Sequence, residues 1–225
     1  MNLPKFITFT GVDVETCPVK MLKLHGDYSG LVEFGLLFSP KLNGNHNRYP
    51  DLEVIEEIVS PFDDTINFSA HLCGDYAKTI INGGKLSINL EHFGRIQINT
   101  KLKINEKTLK TFKESINNTV LIPSRDSEYF PENIAEEINW LYDSSCGHGI
   151  RPKFWPKVCG NNIVGFAGGI NPINVMDIIN EIDCNTDYWL SIETGIRTDN
   201  DWFDLDKVRA VLEAVYGNPT YYWET

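Results

Sequence analysis

The 225-residue chain contains no apolar run that approaches the ~18 consecutive residues of a membrane span. It also lacks internal repeats, low-complexity tracts and any linker-like break in composition. Basic side chains are scarce. Lys and Arg number 20 against 31 Asp and Glu, for a net charge of −11. That balance argues against duplex nucleic acid as a partner, because its affinity rests mainly on Lys and Arg against phosphate. A small anionic ligand stays possible, since backbone N–H groups bind phosphate without net positive charge. Cysteines are few and odd in number: Cys17, Cys73, Cys146, Cys159 and Cys184, at irregular spacings. Free thiols in a reducing compartment are the simplest reading. The opening residues Met1 to Lys5 show no basic region followed by an apolar stretch, so no signal peptide and a cytoplasmic location are expected.

What is present is an ordinary globular composition, 42% hydrophobic and 23% charged, which excludes disordered, collagen-like and coiled-coil classes. A chain of this length buries roughly 70% of its unfolded surface and needs neither disulfide nor metal to hold a core. Short β-rich runs recur at 6–12, 31–39, 65–74, 94–100, 118–124, 138–145, 163–170 and 188–195. Helical segments are expected between them at 51–60, 105–116, 131–138, 172–182 and 204–216. The last carries Leu205, Val208, Val211, Leu212 and Val215 at helical spacing. Alternating strands and helices predict an α/β fold with a parallel sheet. Eight such units without a break predict one domain over 1–225, a single (β/α)8 TIM barrel, with 218–225 as an aromatic tail. An open doubly wound sheet is the fallback, but Thr10-Gly11-Val12 is not its Gly-rich fingerprint.

Side chains on a strand alternate between its two faces. Val32, Phe34, Leu36 and Phe38 share one face, and Glu33, Gly35, Leu37 and Ser39 the other. Ile96 and Ile98 oppose Arg95, Gln97 and Asn99, and Leu190 and Ile192 oppose Trp189, Ser191 and Glu193. The apolar faces must meet the helices, so the polar faces are expected to line the interior. Buried charge is costly unless paired, so Arg95 is predicted to pair with Glu33 or Glu193. Barrel sites lie at the C-terminal strand ends. Those ends carry Thr10, Asp13, Ser39, His71, Cys73, Asn99, Ser124, Asp143, Ser145, Gly168, Gly169, Thr194 and Gly195. Gly168-Gly169-Ile170-Asn171-Pro172 follows the seventh run and Glu193-Thr194-Gly195-Ile196 the eighth. Glycines there let backbone approach a ligand, Asn171 and Pro172 suit a helix start, and these two loops bind phosphate in many barrels.

The stretch Gly165-Phe166-Ala167-Gly168-Gly169-Ile170-Asn171-Pro172-Ile173-Asn174-Val175 resembles the seventh-strand motif of phosphoribosylanthranilate isomerases, Gly-Gly-Leu-Asn-Pro-Glu-Asn-Val. Ser191-Ile192-Glu193-Thr194-Gly195-Ile196-Arg197 is similar to that family's Asp-Val-Ser-Ser-Gly-Val-Glu. Phe34 to Lys41, continuing to Arg48-Tyr49, resembles Gly-Phe-Val-Phe-x-Pro-x-Ser-x-Arg-Tyr. Arg95 to Asn99 falls at Val-Gln-Leu-His-Gly, and Leu141-Tyr142-Asp143-Ser144 at Leu-Leu-Asp-Thr. The resemblance is in order along about 5–215. It implies an Amadori rearrangement of a phosphoribosyl amine without metal or organic cofactor. It implies Asp143 as general acid, a phosphate site at Gly168, Gly169, Thr194 and Gly195, and Arg48 as the arginine that meets the substrate carboxylate. His71, Gln97 and Asn99 complete the expected substrate contacts.

The departures are equally specific. Thr10 stands where the family carries its catalytic cysteine, and a threonine hydroxyl is a poor base unless activated. Asp13, His71 or Cys73 could supply the base. Asn99 replaces a family histidine, and 42–47 and 218–225 also depart. A second reading is therefore a catalytically silent barrel that sequesters a nucleotide-derived ligand or signal, as viral counter-defence proteins do. A third is a structural subunit docking through Tyr221, Tyr222 and Trp223. Either state, monomer or homodimer, suits the first two. A zinc site from His71, Cys73, Cys146 and His148 does not match known ligand spacing, so no metal is expected. Asp143 could instead cap its own loop, Arg48 could be an ordinary surface arginine, and the acidic run 199–206 reads as a solvated loop leading into a helix.

Overall fold

The computed structural model describes residues 2–62, 65–100, 106–114, 120–125, 130, 138–145, 147–158 and 163–219. Eight parallel strands form at the eight β-rich runs. They are β1 (Phe6–Thr10), β2 (Val32–Phe38), β3 (Phe68–Leu72), β4 (Arg95–Ile98), β5 (Val120–Arg125), β6 (Trp140–Asp143), β7 (Val164–Ala167) and β8 (Tyr188–Ile192). Each pairs with the next, and β8 pairs with β1 in the register Ile7 with Leu190 and Thr8 with Ser191, so the sheet closes on itself. Closure disposes of the open-sheet fallback.

The helices are α1 (Pro18–Asp27), α2 (Leu52–Val59), α3 (Asp75–Ile81), α4 (Glu106–Glu114), α5 (Val175–Glu181) and α6 (Leu205–Tyr216). They follow β1, β2, β3, β4, β7 and β8, giving an α/β architecture. The segment expected to be helical at 131–138 lies outside the described residues except for Ile138. The aromatic tail beyond Pro219, with Tyr221, Tyr222 and Trp223, also lies outside them, as do Cys146 and Cys159. Among the described residues no helix is long and apolar enough to cross a membrane.

Local chemistry explains the helix ends. Asp204 accepts from the N–H groups of Asp206 at 3.0 Å and Lys207 at 3.1 Å, a side-chain cap that starts α6. All five predicted apolar positions of α6 are buried. The expected start of α5 at Pro172 is corrected: the helix begins at Val175. Asn171 Oδ1 accepts from the N–H groups of Ile173 and Asn174, and Asn174 Oδ1 accepts from Asn171 N–H. Asn171 thus caps a turn ahead of the helix, and the backbone at Asn174 (φ −111°, ψ −2°) departs from regular helix before α5 begins.

The main core lies between sheet and helices. Phe34, Leu36, Ile96, Ile98, Leu190 and Ile192 are buried there against residues such as Met21, Ile55, Val175 and Val208. The expectation of a polar interior holds on the β1–β4 side. On the β6–β8 side it is corrected, because Leu141, Ala167 and Trp189 form a separate apolar cluster inside the ring. Gly165 makes that cluster possible. A Cβ there would lie 2.4 Å from the Trp189 ring and 2.7 Å from Leu141.

Candidate functional site

The interior is built in layers, from the N-terminal floor to the C-terminal mouth. At the floor, Glu33 accepts from Thr8 Oγ1 at 2.7 Å and from Arg95 Nη1 at 3.0 Å. The Arg95 guanidinium lies 4.6 Å from the centroid of Phe6 and 4.4 Å from that of Trp189. The pairing expected from strand alternation is therefore made by Glu33, and aromatic faces help offset the desolvation of the cation.

Above this floor stand Thr10, Gly35 and His71. His71 Nε2 lies 3.1 Å from Ser69 Oγ and 3.5 Å from Thr10 Oγ1. A Cβ on Gly35 would fall 2.8 Å from both His71 Nε2 and Thr10 Oγ1, so only glycine leaves room for the pair. Burial, reinforced by the Arg95 charge, pulls His71 down to about 3. It is therefore a neutral imidazole at ordinary pH.

The layers open into a cavity of about 510 Å³ at the C-terminal strand ends. Ten of the residues singled out from the sequence line it: Thr10, Arg48, His71, Gln97, Asn99, Asp143, Gly168, Gly169, Thr194 and Gly195. On one wall, Gln97 Nε2 donates to Asn99 Oδ1 at 2.7 Å, and Asn99 Nδ2 donates to Cys73 Sγ at 3.3 Å. Burial pushes the Cys73 thiol up, against the donors Asn99 and Tyr49.

The loops after β6, β7 and β8 meet through glycine. A Cβ on Gly169 would sit 2.6 Å from Arg151 N, and one on Gly168 would sit 2.9 Å from Ile150 O. One on Gly149 would reach Thr194 Cβ at 2.6 Å, and one on Gly195 would overlap Ile170 O. Gly168 and Gly169 also hold positive φ, 125° and 65°. Backbone packing alone thus requires these glycines, which sequence reasoning attributed to ligand approach. Yet among the described residues the N–H groups of Gly168, Gly169, Thr194 and Gly195 donate no hydrogen bond within the protein. Gly168 is buried. Such donors ordinarily find partners.

Asp143 ends β6. Its Oδ1 accepts from Ser145 N at 3.0 Å and Ser145 Oγ at 2.9 Å, and its Oδ2 accepts from Gly147 N at 2.8 Å. It caps its own loop while facing the cavity. Asp13 does not face it. Asp13 is fully buried and accepts from Arg197 Nη2 at 2.8 Å, Phe203 N at 2.7 Å and Thr16 Oγ1 at 3.0 Å. Its structural role removes it as a candidate base.

Arg48 spans the mouth from the loop after β2. Nε and Nη2 hold Asp201, with Nη2 at 2.7 Å from Oδ1, and Nη1 donates to Glu193 Oε1 at 2.8 Å. Burial works against the Arg48 charge, but the bonds to Asp201 and Glu193 outweigh it and raise its pKa. Glu193 is pushed up by burial, opposed by Arg48. Asp201 is held down, first by its bond from Arg48. The acidic run 199–206 is thus not merely solvated: Asp201 is part of the mouth. Sequence reasoning placed Glu193 on the inward face but did not pair it with Arg48. No local pattern marks Asp201, whose partner is 153 residues away. Among the described residues no group of three or more His, Cys, Asp or Glu is placed to hold a metal ion.

No protein-family model matches this sequence. No curated protein matches it either. Solved structures do match by fold. TrpF from Jonesia denitrificans superposes with a TM-score of 0.64 at 14% identity, covering 94% of this chain and 97% of that one. The phosphoribosyl anthranilate isomerase of Thermotoga maritima gives 0.58 at 13% identity, covering 94% and 99%. A phosphoribosyl anthranilate isomerase in complex with reduced 1-(o-carboxyphenylamino)-1-deoxyribulose 5-phosphate gives 0.57 at 11% identity, covering 94% and 98%. Over nearly its whole length, then, this chain has the fold of the phosphoribosylanthranilate isomerases that its strand-end motifs resemble.

Proposed function

We propose that the protein is a complete (β/α)8 barrel of the phosphoribosylanthranilate isomerase kind that binds a phosphorylated ribose compound in the cavity at its C-terminal strand ends. The observation that carries this reading is the row of backbone N–H groups at Gly168, Gly169, Thr194 and Gly195. They border the cavity and donate to nothing else among the described residues. Main-chain donors left open beside a cavity can hold a phosphate ester in a chain of net charge −11 without a cationic side chain. The ribose then extends towards Asp143, Thr10 and His71. The ligand held by the similar isomerase, a ribulose 5-phosphate derivative, has the same phosphate-and-sugar chemistry.

In an Amadori-type isomerisation Asp143 protonates the furanose ring oxygen, the ring opens to a protonated imine, and a base removes the C2′ proton. Thr10 and His71 border the cavity 3.5 Å apart, but an imidazole pulled down to about 3 is a weak proton acceptor and leaves the Thr10 hydroxyl unactivated. A second reading, binding without turnover, is favoured by the donors from Ser145 and Gly147 that tie Asp143 to its loop and by the hydroxyl at position 10.

The test is native mass spectrometry followed by a product assay. Ribose 5-phosphate is expected to form a one-to-one adduct and ribose none. Equal capture of the two overturns the phosphate reading. With N-(5′-phosphoribosyl)anthranilate or another phosphoribosyl amine, multiple turnovers abolished by Asp143→Asn support the isomerase. Retention of the unchanged ligand supports sequestration. Wild-type rate in Asp143→Asn removes that residue from the chemistry.

A further inference from the structure

The cavity wall that carries Glu193 and Arg48 is acidic and adjoins the amide row, since Glu193 directly precedes Thr194 and Arg48 Nη1 lies 3.4 Å from Thr194 Oγ1. Among the described charged side chains that line the cavity, the carboxylates Asp143, Glu193 and Asp201 stand with one guanidinium, Arg48, and the imidazoles of His46 and His148 line it as well. His71 is neutral. All three nitrogens of Arg48 are already committed to this chain's own carboxylates, Nε and Nη2 to Asp201 and Nη1 to Glu193. Only 19% of the Arg48 side chain is exposed. An incoming carboxylate would have to compete with two tethered ones. Success would strip Glu193 or Asp201 of its cation in a half-buried setting, where an unpaired charge is strongly disfavoured. Glu193 Oε1 is occupied by Arg48, whereas its Oε2 accepts no hydrogen bond among the described residues. That oxygen is a ready acceptor on the cavity wall.

Resting on the reading that the amide row holds a ribose phosphate, we propose that the site selects an aglycone that is neutral or positively charged and donates hydrogen bonds, and rejects one that carries a carboxylate. Glu193 is the residue that sets this choice. It neutralises Arg48, the one arginine among the described lining residues, and presents a spare acceptor to a ring N–H or an amine. Electrostatic matching of this kind acts on specificity by penalising the wrong partner. The substrate class is accordingly a 5-phosphoribosyl compound of a nitrogen base or a simple amine. It is not one of an aromatic carboxylate.

Uridine 5′-monophosphate and orotidine 5′-monophosphate form a matched pair, since they differ only by a carboxylate on the base. Isothermal titration of the full chain is performed with both and with ribose 5-phosphate. The wild type is expected to bind the uridine compound at least about tenfold more tightly than the orotidine compound. Glu193→Gln, checked for an unchanged melting temperature, is expected to narrow that ratio to within about threefold. If ribose 5-phosphate binds but the orotidine compound binds as tightly as the uridine compound, the charge assignment is overturned while the phosphate reading survives. If the ratio is unchanged in a folded Glu193→Gln variant, Glu193 is not the selector. If none of the three binds, the phosphate reading falls and this inference falls with it. The wild-type comparison decides the charge question even if the variant does not fold.

Discussion

His71 sets a stability profile of its own at the residue scale. Its imidazole is 1% exposed and is pulled down to about 3, chiefly by burial. In the unfolded chain it titrates near ~6.5. Between those values the unfolded state binds a proton that the folded state does not, so stability falls as pH drops below the unfolded value. From pH 6.5 to 5 this one group removes about 2 kcal/mol, at 1.36 kcal/mol per pH unit. His25, also pulled down by burial, adds to the same slope. Urea titrations at pH 7 and 5 are expected to show that loss in the wild type and a smaller one in His71→Gln. An equal slope in the variant would assign the acid sensitivity elsewhere. The floor pair behaves differently. Glu33→Leu leaves Arg95 buried without its carboxylate and is expected to cost about 3–5 kcal/mol. Glu33→Leu with Arg95→Met together are expected to recover most of it, and denaturant melts of the two variants check this.

At the scale of elements, the loops after β6, β7 and β8 form one packed unit held by glycines. Gly195→Ala would place a Cβ against Ile170 O, a backbone atom that cannot swing away. A loss of about 1–3 kcal/mol is expected, read by thermal denaturation, together with weaker capture of ribose 5-phosphate. Gly94→Ala is a useful contrast, because nothing lies within 4 Å of a Cβ placed there. How far these elements could be read from sequence depends on their physics. All eight strands coincide with β-rich runs of the sequence, and in β2 the alternation of Val32, Phe34, Leu36 and Phe38 with Glu33, Gly35, Leu37 and Ser39 also sets which face looks inward. Helices α2, α4, α5 and α6 are legible from apolar spacing. Helix α1 buries only Met21, Leu24 and His25, a short stripe with Gly26 inside it, and α3 is only seven residues long. Neither carries enough periodicity to stand out. The mouth residues from strand ends were legible because topology alone brings strand ends together. Arg48 with Asp201 was not, because loop-to-loop pairing over 153 residues leaves no periodic mark.

At the scale of the whole molecule, the ring must close between the first strand and the last. Backbone pairing of β1 with β8 does part of this. Just beyond both strands, Arg197 Nη2 meets Asp13 Oδ2 at 2.8 Å, with side chains 3% and 0% exposed, and Arg197 also donates to Gly11 O. Asp13 in turn receives Phe203 N. The clasp therefore ties the entry of the chain to the loop that leads into α6. Asp13→Ala leaves Arg197 buried without its closest carboxylate and is expected to cost about 3–5 kcal/mol. At about 2–4 °C per kcal/mol for a chain of this size, the melting temperature falls by about 6 to 20 °C. Because the effect is on closure, far-ultraviolet circular dichroism of the folded variant at low temperature is expected to match the wild type. A melting point within about 2 °C of wild type would show that β1–β8 pairing closes the ring unaided.

The contacts of Gly149 with Thr194, of Gly168 and Gly169 with Ile150 and Arg151, and of Gly195 with Ile170 have a further implication for redesign. Barrel loops are commonly treated as interchangeable modules, each carried by its own strand. Here three of them share main-chain surfaces, so a transplant of any one from another barrel brings a foreign backbone into its neighbours. New specificities on this scaffold are more readily reached by exchanging the trio as a cassette, or by varying the strap that bears Arg48, whose Asn47 and Arg48 side chains reach the loop after β8.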